Sequence, residues 1–343
     1  MKALAFRAHG GPEVLELVEL PDPEPGRLDV VVAVKACATN RLDITQRAGW
    51  YTIPGFTLPH VAGMDVAGEV VAVGSEVDGV AVGDRVVIDP SMVDVPEGAT
   101  YAGRGDRHGD LGVIGANLPG GYAELCLAPA SHVHRLPADV GFDEAAAVPT
   151  AYATAWHALV EIGRVQPGET VLVHAAGSGV ASAAIQLARY LGATVLATAG
   201  DAAKLDWARR LGASATCANR ETDVAAWALD RTDGQGVDLV VDIVGPALWE
   251  ASLLALRPRG RLVFLGNVTG DEVSFSLGLA FSKGLALLGS DAYTPTEFAT
   301  MLPVALGSGF IPLATEHYAL ADTPEAHRHM ESAAVHGKQI LLP

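Results

Sequence analysis

The residues best suited to chemistry stand in the run Val171-Leu172-Val173-His174-Ala175-Ala176-Gly177-Ser178-Gly179-Val180-Ala181-Ser182. A short apolar stretch enters small residues, and a helical pattern follows. That order suits a strand, a tight turn and a helix whose first N–H groups face an anion. Small residues let the backbone approach a pyrophosphate and let the helix pack closely on the strand. The glycine positions of a G-x-G-x-x-G fingerprint are held here by Ala176, Ser178 and Ala181, with Gly177 and Gly179 between them. The turn therefore leans on its context. Gly177, Ser178, Gly179 and Val180 are the expected pyrophosphate contacts.

The next strand ends Ala197-Thr198-Ala199-Gly200-Asp201. An acid at its tip would grip ribose hydroxyls and repel a 2′-phosphate, but the expected position holds Ala199. Gly200, the next residue, is a candidate cofactor contact. Lys204 follows on the next helix turn, and Arg220 is a second cation. These favour NADPH, with NADH possible. Asp201 argues the other way, and a solvated helix face is the plainer reading of Lys204. Asp242-Ile243-Val244-Gly245 and Leu265-Gly266-Asn267 end further strands, where nucleotides bind in such sheets. Val244, Gly266 and Asn267 are candidate cofactor contacts.

The elements that must position these residues differ along the chain. Residues 1–130 read as short strands: 14–20 alternates, 29–36 is β-branched, and 68–74 and 85–88 follow. Gly- and Pro-rich turns separate them, as in a small irregular barrel. Residues 143–159 are Ala-rich and helical in character. Then strands 170–174, 194–198, 237–242 and 260–265 alternate with helices 180–191, 201–211 and 247–256. Alternation of this kind means βαβ units and a parallel sheet. The tail reads as helices over 294–307 and 325–335 and a strand over 338–342, which could return to the first domain. The expected fold is α/β: a Rossmann doubly wound sheet over 131–293 and a β-barrel domain over 1–130 joined by 294–343.

The chain has 343 residues, half of them hydrophobic and only 18% charged, enough for two cores. The formal net charge of −17 and the lack of a basic stripe exclude a nucleic-acid partner. Cys37, Cys126 and Cys217 lie far apart with no Cys-x-x-Cys pair, which argues against a disulfide framework or a thiolate metal site. Residues 1–4 enter a strand-like pattern directly, and no apolar run reaches about 20 residues. A cytoplasmic protein without membrane partners is expected.

Spaced motifs now match in order: Thr154-Ala155-Trp156, Gly168-Glu169-Thr170, Ile185-Gln186-Leu187-Ala188, Gly192-Ala193, Lys204-Leu205, Arg210-Leu211-Gly212-Ala213, Gly236-Val237-Asp238, Gly260-Arg261-Leu262-Val263 and Gly337-Lys338. Together they resemble the medium-chain dehydrogenase/reductase superfamily, especially its zinc-independent, quinone oxidoreductase-like branch. The resemblance implies a GroES-like barrel, a Rossmann domain and a homodimer, for which residues 285–290 are the candidate edge. It also implies that Thr154 and Arg41 contact the cofactor, Arg41 at the pyrophosphate.

On the same resemblance, the catalytic-zinc positions of related enzymes fall on Asn40, Met64 and Thr150 or a neighbour. Neither an amide nor a thioether replaces thiolate and imidazole well, so no zinc is expected. The proton-relay hydroxyl of those relatives falls on Leu42. Asn40, Tyr51 and Asp65 are the expected catalytic residues: Asn40 as amide donor, Tyr51 as donor of a proton or hydrogen bond, Asp65 as the acid left in the old zinc site. Asp65 bonding backbone groups is the plainer alternative. Trp50, Tyr51 and Met64 are expected to line the substrate pocket, against plain packing for the aromatics. Asp43 is expected to fix the loop. Residues 89–121 match a structural-zinc lobe but lack cysteine; Asp94, Glu97, Asp106, His108 and Asp110 read there as a polar surface loop. Without a metal, hydride transfer to an isolated ketone loses its Lewis acid, whereas a quinone or enone spreads the developing charge. The expected activity is therefore NADPH-dependent reduction of a quinone or conjugated alkene, against a zinc-free carbonyl reductase or alcohol dehydrogenase, or a non-catalytic nucleotide-binding protein.

Overall fold

The structure is a computed structural model that describes residues 1–104 and 111–343. The chain divides into two compact units, one of residues 1–150 and 293–343, the other of residues 151–292.

The first unit opens with β1 (Lys2–Phe6), β2 (Glu16–Glu19) and β3 (Asp29–Ala38), then α1 (Arg41–Ala48), β4 (His60–Val61), β5 (Asp65–Val73) and β6 (Arg85–Ile88). After β7 (Leu125–Pro129) and β8 (Val133–Arg135) come α2 (Phe142–Ala146) and α3 (Pro149–Trp156). The second unit holds β9 (Thr170–Val173), α4 (Gly179–Tyr190), β10 (Thr194–Ala199), α5 (Ala202–Leu211), β11 (Ala215–Ala218) and α6 (Val224–Asp230). It continues through β12 (Val237–Asp242), α7 (Pro246–Ala255), β13 (Leu256–Phe264), α8 (Leu277–Lys283) and β14 (Ala286–Gly289). The chain then rejoins the first unit with α9 (Pro295–Gly307), β15 (Ala314–Ala319), α10 (Thr323–Glu331) and β16 (Lys338–Leu342).

In the second unit six parallel strands lie in the order β11-β10-β9-β12-β13-β14. The order reverses beside β9, which is the doubly wound arrangement. Val171, Leu172, Val173, Val240 and Val241 are fully buried, as a strand covered on both faces requires. In the first unit a seven-stranded sheet runs β15-β16-β3-β5-β6-β8, with β7 also on β3, beside a three-stranded sheet β2-β1-β4. This is the GroES-like barrel domain. Its core gathers Phe6, Val30, Val32, Ile88, Ile114 and Tyr122.

The forward boundary lies at residue 150, later than the expected 130. The reason is that β8 still pairs with β6 and α2 packs on β3 and β5. The helical run expected over 143–159 is broken into α2, α3 and a π-helical turn, His157–Ile162. Pro149 starts α3 because it has no N–H to continue α2. The helix expected over 325–335 ends at Glu331, ahead of Ala333 at φ +55°. Among the described residues no helix is long and apolar enough to cross a membrane.

Candidate functional site

In the first unit, β3 delivers Asn40 and β5 begins at Asp65; Asp65 pairs with Ala38 across the two strands. Asn40 caps α1, and its backbone N–H donates to the Asp43 carboxylate at 2.7 Å. The Tyr122 hydroxyl donates to the same carboxylate oxygen at 2.8 Å. Asp43 thus fixes the loop from within the core, and burial pushes its pKa up to about 6.

Asp65 is fully buried and has partners on every side. The Thr150 amide and hydroxyl donate to Oδ1 at 2.9 and 2.5 Å. The Asn40 side-chain amide donates to Oδ2 at 3.0 Å. The Lys338 ammonium, only 5% exposed, donates to Oδ2 at 2.8 Å and to the Asn40 carbonyl oxygen at 2.6 Å. Asn40 therefore spends its acceptor and one N–H inside the protein, leaving one N–H by valence. Lys338 arrives from β16, which pairs with β3. Sequence reasoning matched Gly337-Lys338 as a motif but missed the part Lys338 plays; the signal was an ammonium at the head of a terminal strand that ends Ile-Leu-Leu.

The zinc positions expected from the resemblance can be tested against these contacts. Asn40 and Thr150 meet around Asp65, and an ammonium stands at its carboxylate. Met64 is buried beside them in sequence with a thioether where an imidazole would serve. The one carboxylate is already satisfied by an ammonium, an amide and a hydroxyl, Asn40, Met64 and Thr150 bring no thiolate or imidazole, and the residues do not fit a zinc ion. Asp94 and Glu97 belong to no metal-holding cluster among the described residues; Asp106, His108 and Asp110 lie outside the described residues. Trp50 and Tyr51 are exposed, at 68% and 58%. The two aromatics follow the left-handed Gly49 that stops α1. Arg41 is exposed on the first turn of α1.

In the second unit, Ser178 caps α4, accepting from the Ala181 N–H at 3.2 Å. The Ala176 N–H donates to the Thr198 carbonyl at 2.9 Å, tying the turn to β10. Gly179 and Val180 open α4, and first-turn amides have no acceptor within their own helix. A side chain on Gly177 would meet the Lys204 stem at 2.6 Å, and one on Gly200 would meet the Arg220 guanidinium at 3.0 Å. The two glycines thus clear the space where these cations lie. Lys204 pairs with Asp201 at 2.9 Å. Partial burial raises the Asp201 carboxyl, but the bonds from Lys204 and the nearby Arg220 charge outweigh it and hold it below the usual value. Turn, helix N-terminus and two cations over glycine form a cradle that fits a phosphorylated nucleotide.

At the other strand ends, Val244 and Gly245 pack against the loop that carries Gly266 and Asn267; the Thr269 N–H donates to the Val244 carbonyl at 3.0 Å. Gly245, Gly266 and Asn267 share an apolar groove of about 310 Å³ with Trp249, Phe264 and Phe275. Thr154 is half-buried on α3.

A doubly wound sheet with a nucleotide cradle, joined to a GroES-like domain, defines a dehydrogenase/reductase class of oxidoreductase. Residues 26–138 match the alcohol dehydrogenase GroES-like domain family and residues 179–306 the zinc-binding dehydrogenase family. A quinone oxidoreductase of Pseudomonas aeruginosa is 35% identical over 100% of this chain and 99% of its own. A crystal structure of an NAD-dependent alcohol dehydrogenase is 37% identical with a TM-score of 0.93, covering 100% of each chain. The Escherichia coli quinone oxidoreductase complexed with NADPH is 30% identical with a TM-score of 0.81, again covering 100% of each. The chain belongs to the medium-chain dehydrogenase/reductase superfamily, in its quinone oxidoreductase-like branch.

Proposed function

We propose that the protein is an NADPH-dependent, zinc-free reductase of a quinone or conjugated alkene. The observation that carries this reading is the Lys338 ammonium lodged between Asp65 and Asn40. Its charge is cancelled by the Asp65 carboxylate, so the cluster offers no net charge to an alkoxide developing on an isolated ketone. A conjugated acceptor needs less, because it delocalises the charge over its own atoms. The remaining Asn40 N–H is the one donor the cluster spares. Bound NADPH supplies the hydride. Gly177, Ser178, Gly179 and Val180 hold its pyrophosphate, and Lys204 with Arg220 receives the 2′-phosphate. Trp50 and Tyr51, exposed and apolar in body, suit the recognition of a flat small-molecule acceptor.

The relatives support this reading: one is named a quinone oxidoreductase and another was solved with NADPH. A second reading, an NADH-dependent alcohol dehydrogenase, is favoured by Asp201, an acid paired at the ribose end of the cradle. The two part company in one assay. Purified protein is analysed for metals and then given quinones, enones and simple ketones with each cofactor. The proposal expects far less than one zinc per chain, turnover on quinones or enones, and preference for NADPH. Stoichiometric zinc with turnover on simple ketones or alcohols would sink it.

The homodimer we propose would use β14, which has one free side in its sheet among the described residues. Beside it in sequence, Phe275, Leu277 and Phe281 are exposed, the last two at 73% and 79%. An exposed apolar strand edge is a template for a second chain, and we assign it to a second copy.

A further inference from the structure

Beneath the nucleotide cradle lies a polar cluster that no cofactor atom needs to touch. His174, Thr198, Asp242 and Ser252 are all fully buried. They come from the ends of three adjacent strands, β9, β10 and β12, and from α7. His174 Nδ1 lies 2.8 Å from the Thr198 hydroxyl, and Nε2 lies 3.0 Å from the Ser252 hydroxyl. The Ser252 hydroxyl has one proton, and it points to the Leu248 carbonyl at 2.8 Å or to Asp242 Oδ2 at 3.4 Å. With the proton on either acceptor, its oxygen accepts from His174 Nε2–H. Nδ1 is then unprotonated and accepts from the Thr198 hydroxyl. Burial favours this neutral form by lowering the imidazole pKa. Asp242 Oδ1 completes the cluster, accepting from the Val244 and Gly245 N–H groups at 2.7 and 3.0 Å.

Each member of the cluster sits next to a different part of the cradle. His174 immediately precedes the pyrophosphate turn. The Thr198 carbonyl accepts from that turn at Ala176, and two residues later stands Gly200. Asp242 sets the backbone of Val244 and Gly245. We infer that His174 is a positioning residue for the dinucleotide: one neutral imidazole locks the pyrophosphate turn, the ribose end and the Val244 loop into a single spacing. The inference rests on the nucleotide-binding reading given above and adds a residue that does not touch the nucleotide. An apolar core residue of similar size would fill the space, yet it would leave the two buried hydroxyls, of Thr198 and Ser252, without their shared partner.

The test is NADPH binding by fluorescence, with steady-state kinetics, on His174→Phe, His174→Gln and Thr198→Val, all well below their melting temperatures. Gln carries one acceptor and one donor group and so can replace the imidazole between the two hydroxyls. Expected are a roughly tenfold weaker NADPH Kd and higher KM for His174→Phe, with kcat at saturating cofactor changed less than about threefold, and substantial recovery in His174→Gln. A His174→Phe protein that melts lower but binds NADPH as the parent does would overturn the inference, leaving only packing. Should that variant fail to fold, Thr198→Val removes one hydroxyl at nearly constant volume; an unchanged Kd there overturns it equally. Wild-type protein that binds neither NADPH nor NADH defeats the nucleotide reading instead, which keeps the two failures distinct.

Discussion

Replacing Lys338 by Met probes the cluster most directly. Methionine keeps most of the length of the side chain and removes its charge. Asp65 then stays fully buried with its carboxylate facing only the Asn40 amide and the Thr150 N–H and hydroxyl. The ion pair is not a surface pair open to screening, since the two side chains are 5% and 0% exposed. Removing one member of such a pair costs about 3–5 kcal/mol, because the other charge is left without compensation in a low-dielectric site. For a domain of this size that lowers the melting temperature by roughly 10 °C. The Asn40 carbonyl also loses its donor, so its amide becomes free to turn. Thermal and urea melts on Lys338→Met, Asp65→Asn and the double variant give the coupling. The double variant should recover most of the loss, because no lone charge remains. A single Lys338→Met variant within about 1 kcal/mol of the parent, or a double variant no better than the single ones, would refute the reasoning.

Other outcomes follow from the same contacts. Lys204→Ala and Arg220→Ala should each raise the KM for NADPH roughly tenfold while leaving that for NADH nearly unchanged, since on the proposed reading each loses a charge-assisted bond to the 2′-phosphate alone; equal losses with both cofactors would remove the two cations from that role. Asp89 is buried with Oδ2 unpartnered among the described residues, accepting from Ser91 and Tyr293 through Oδ1. Burial raises its pKa from 3.8 to about 7, so its protonated form suits the fold: the contribution is complete below about pH 3.8 and is lost as pH rises through about 7. Asp89→Asn should therefore gain stability over the parent, by up to about 4 kcal/mol, above pH 7, and the gain should vanish in acid in urea melts across pH. His327 behaves oppositely, with burial and then the Arg47 charge lowering its pKa to about 3. The stability of the neutral form is present above about pH 6.5 and drains away toward pH 3, so His327→Gln should flatten the acid side of the same profile. Finally, Phe281→Asp should convert a dimer to monomer in light scattering; a parent that is already monomeric would remove the edge-strand assembly.

Some of this molecule was legible before any coordinates. Strands β9, β10 and β12 and the end of β13 are mostly apolar, and helices α4, α5 and α7 alternate with them, so local pattern alone implied βαβ units and a parallel sheet. Strand β11 was not visible, because Ala-Thr-Cys-Ala carries little hydrophobic signal and takes its strand form from pairing with β10. Helix α1 was missed for a related reason: Arg41-Leu42-Asp43 reads as a polar loop until Asp43 is seen to cap it from the core.

The amino-acid sequence by itself determined the cradle, because turn, helix N-terminus, glycines and Lys204 are neighbours along the chain. Those features depend on local backbone geometry, which short-range residue choice controls. It also determined that Asn40, Met64 and Thr150 are weak zinc donors, since that is a matter of side-chain chemistry. Only the tertiary structure decided what stands among them. Lys338 lies 273 residues from Asp65 and 298 from Asn40, and it reaches both because β16 closes beside β3. His174 likewise meets Ser252 across 78 residues. Pairings of this range are set by strand register and the burial of charge, and neither leaves a periodic trace in the chain.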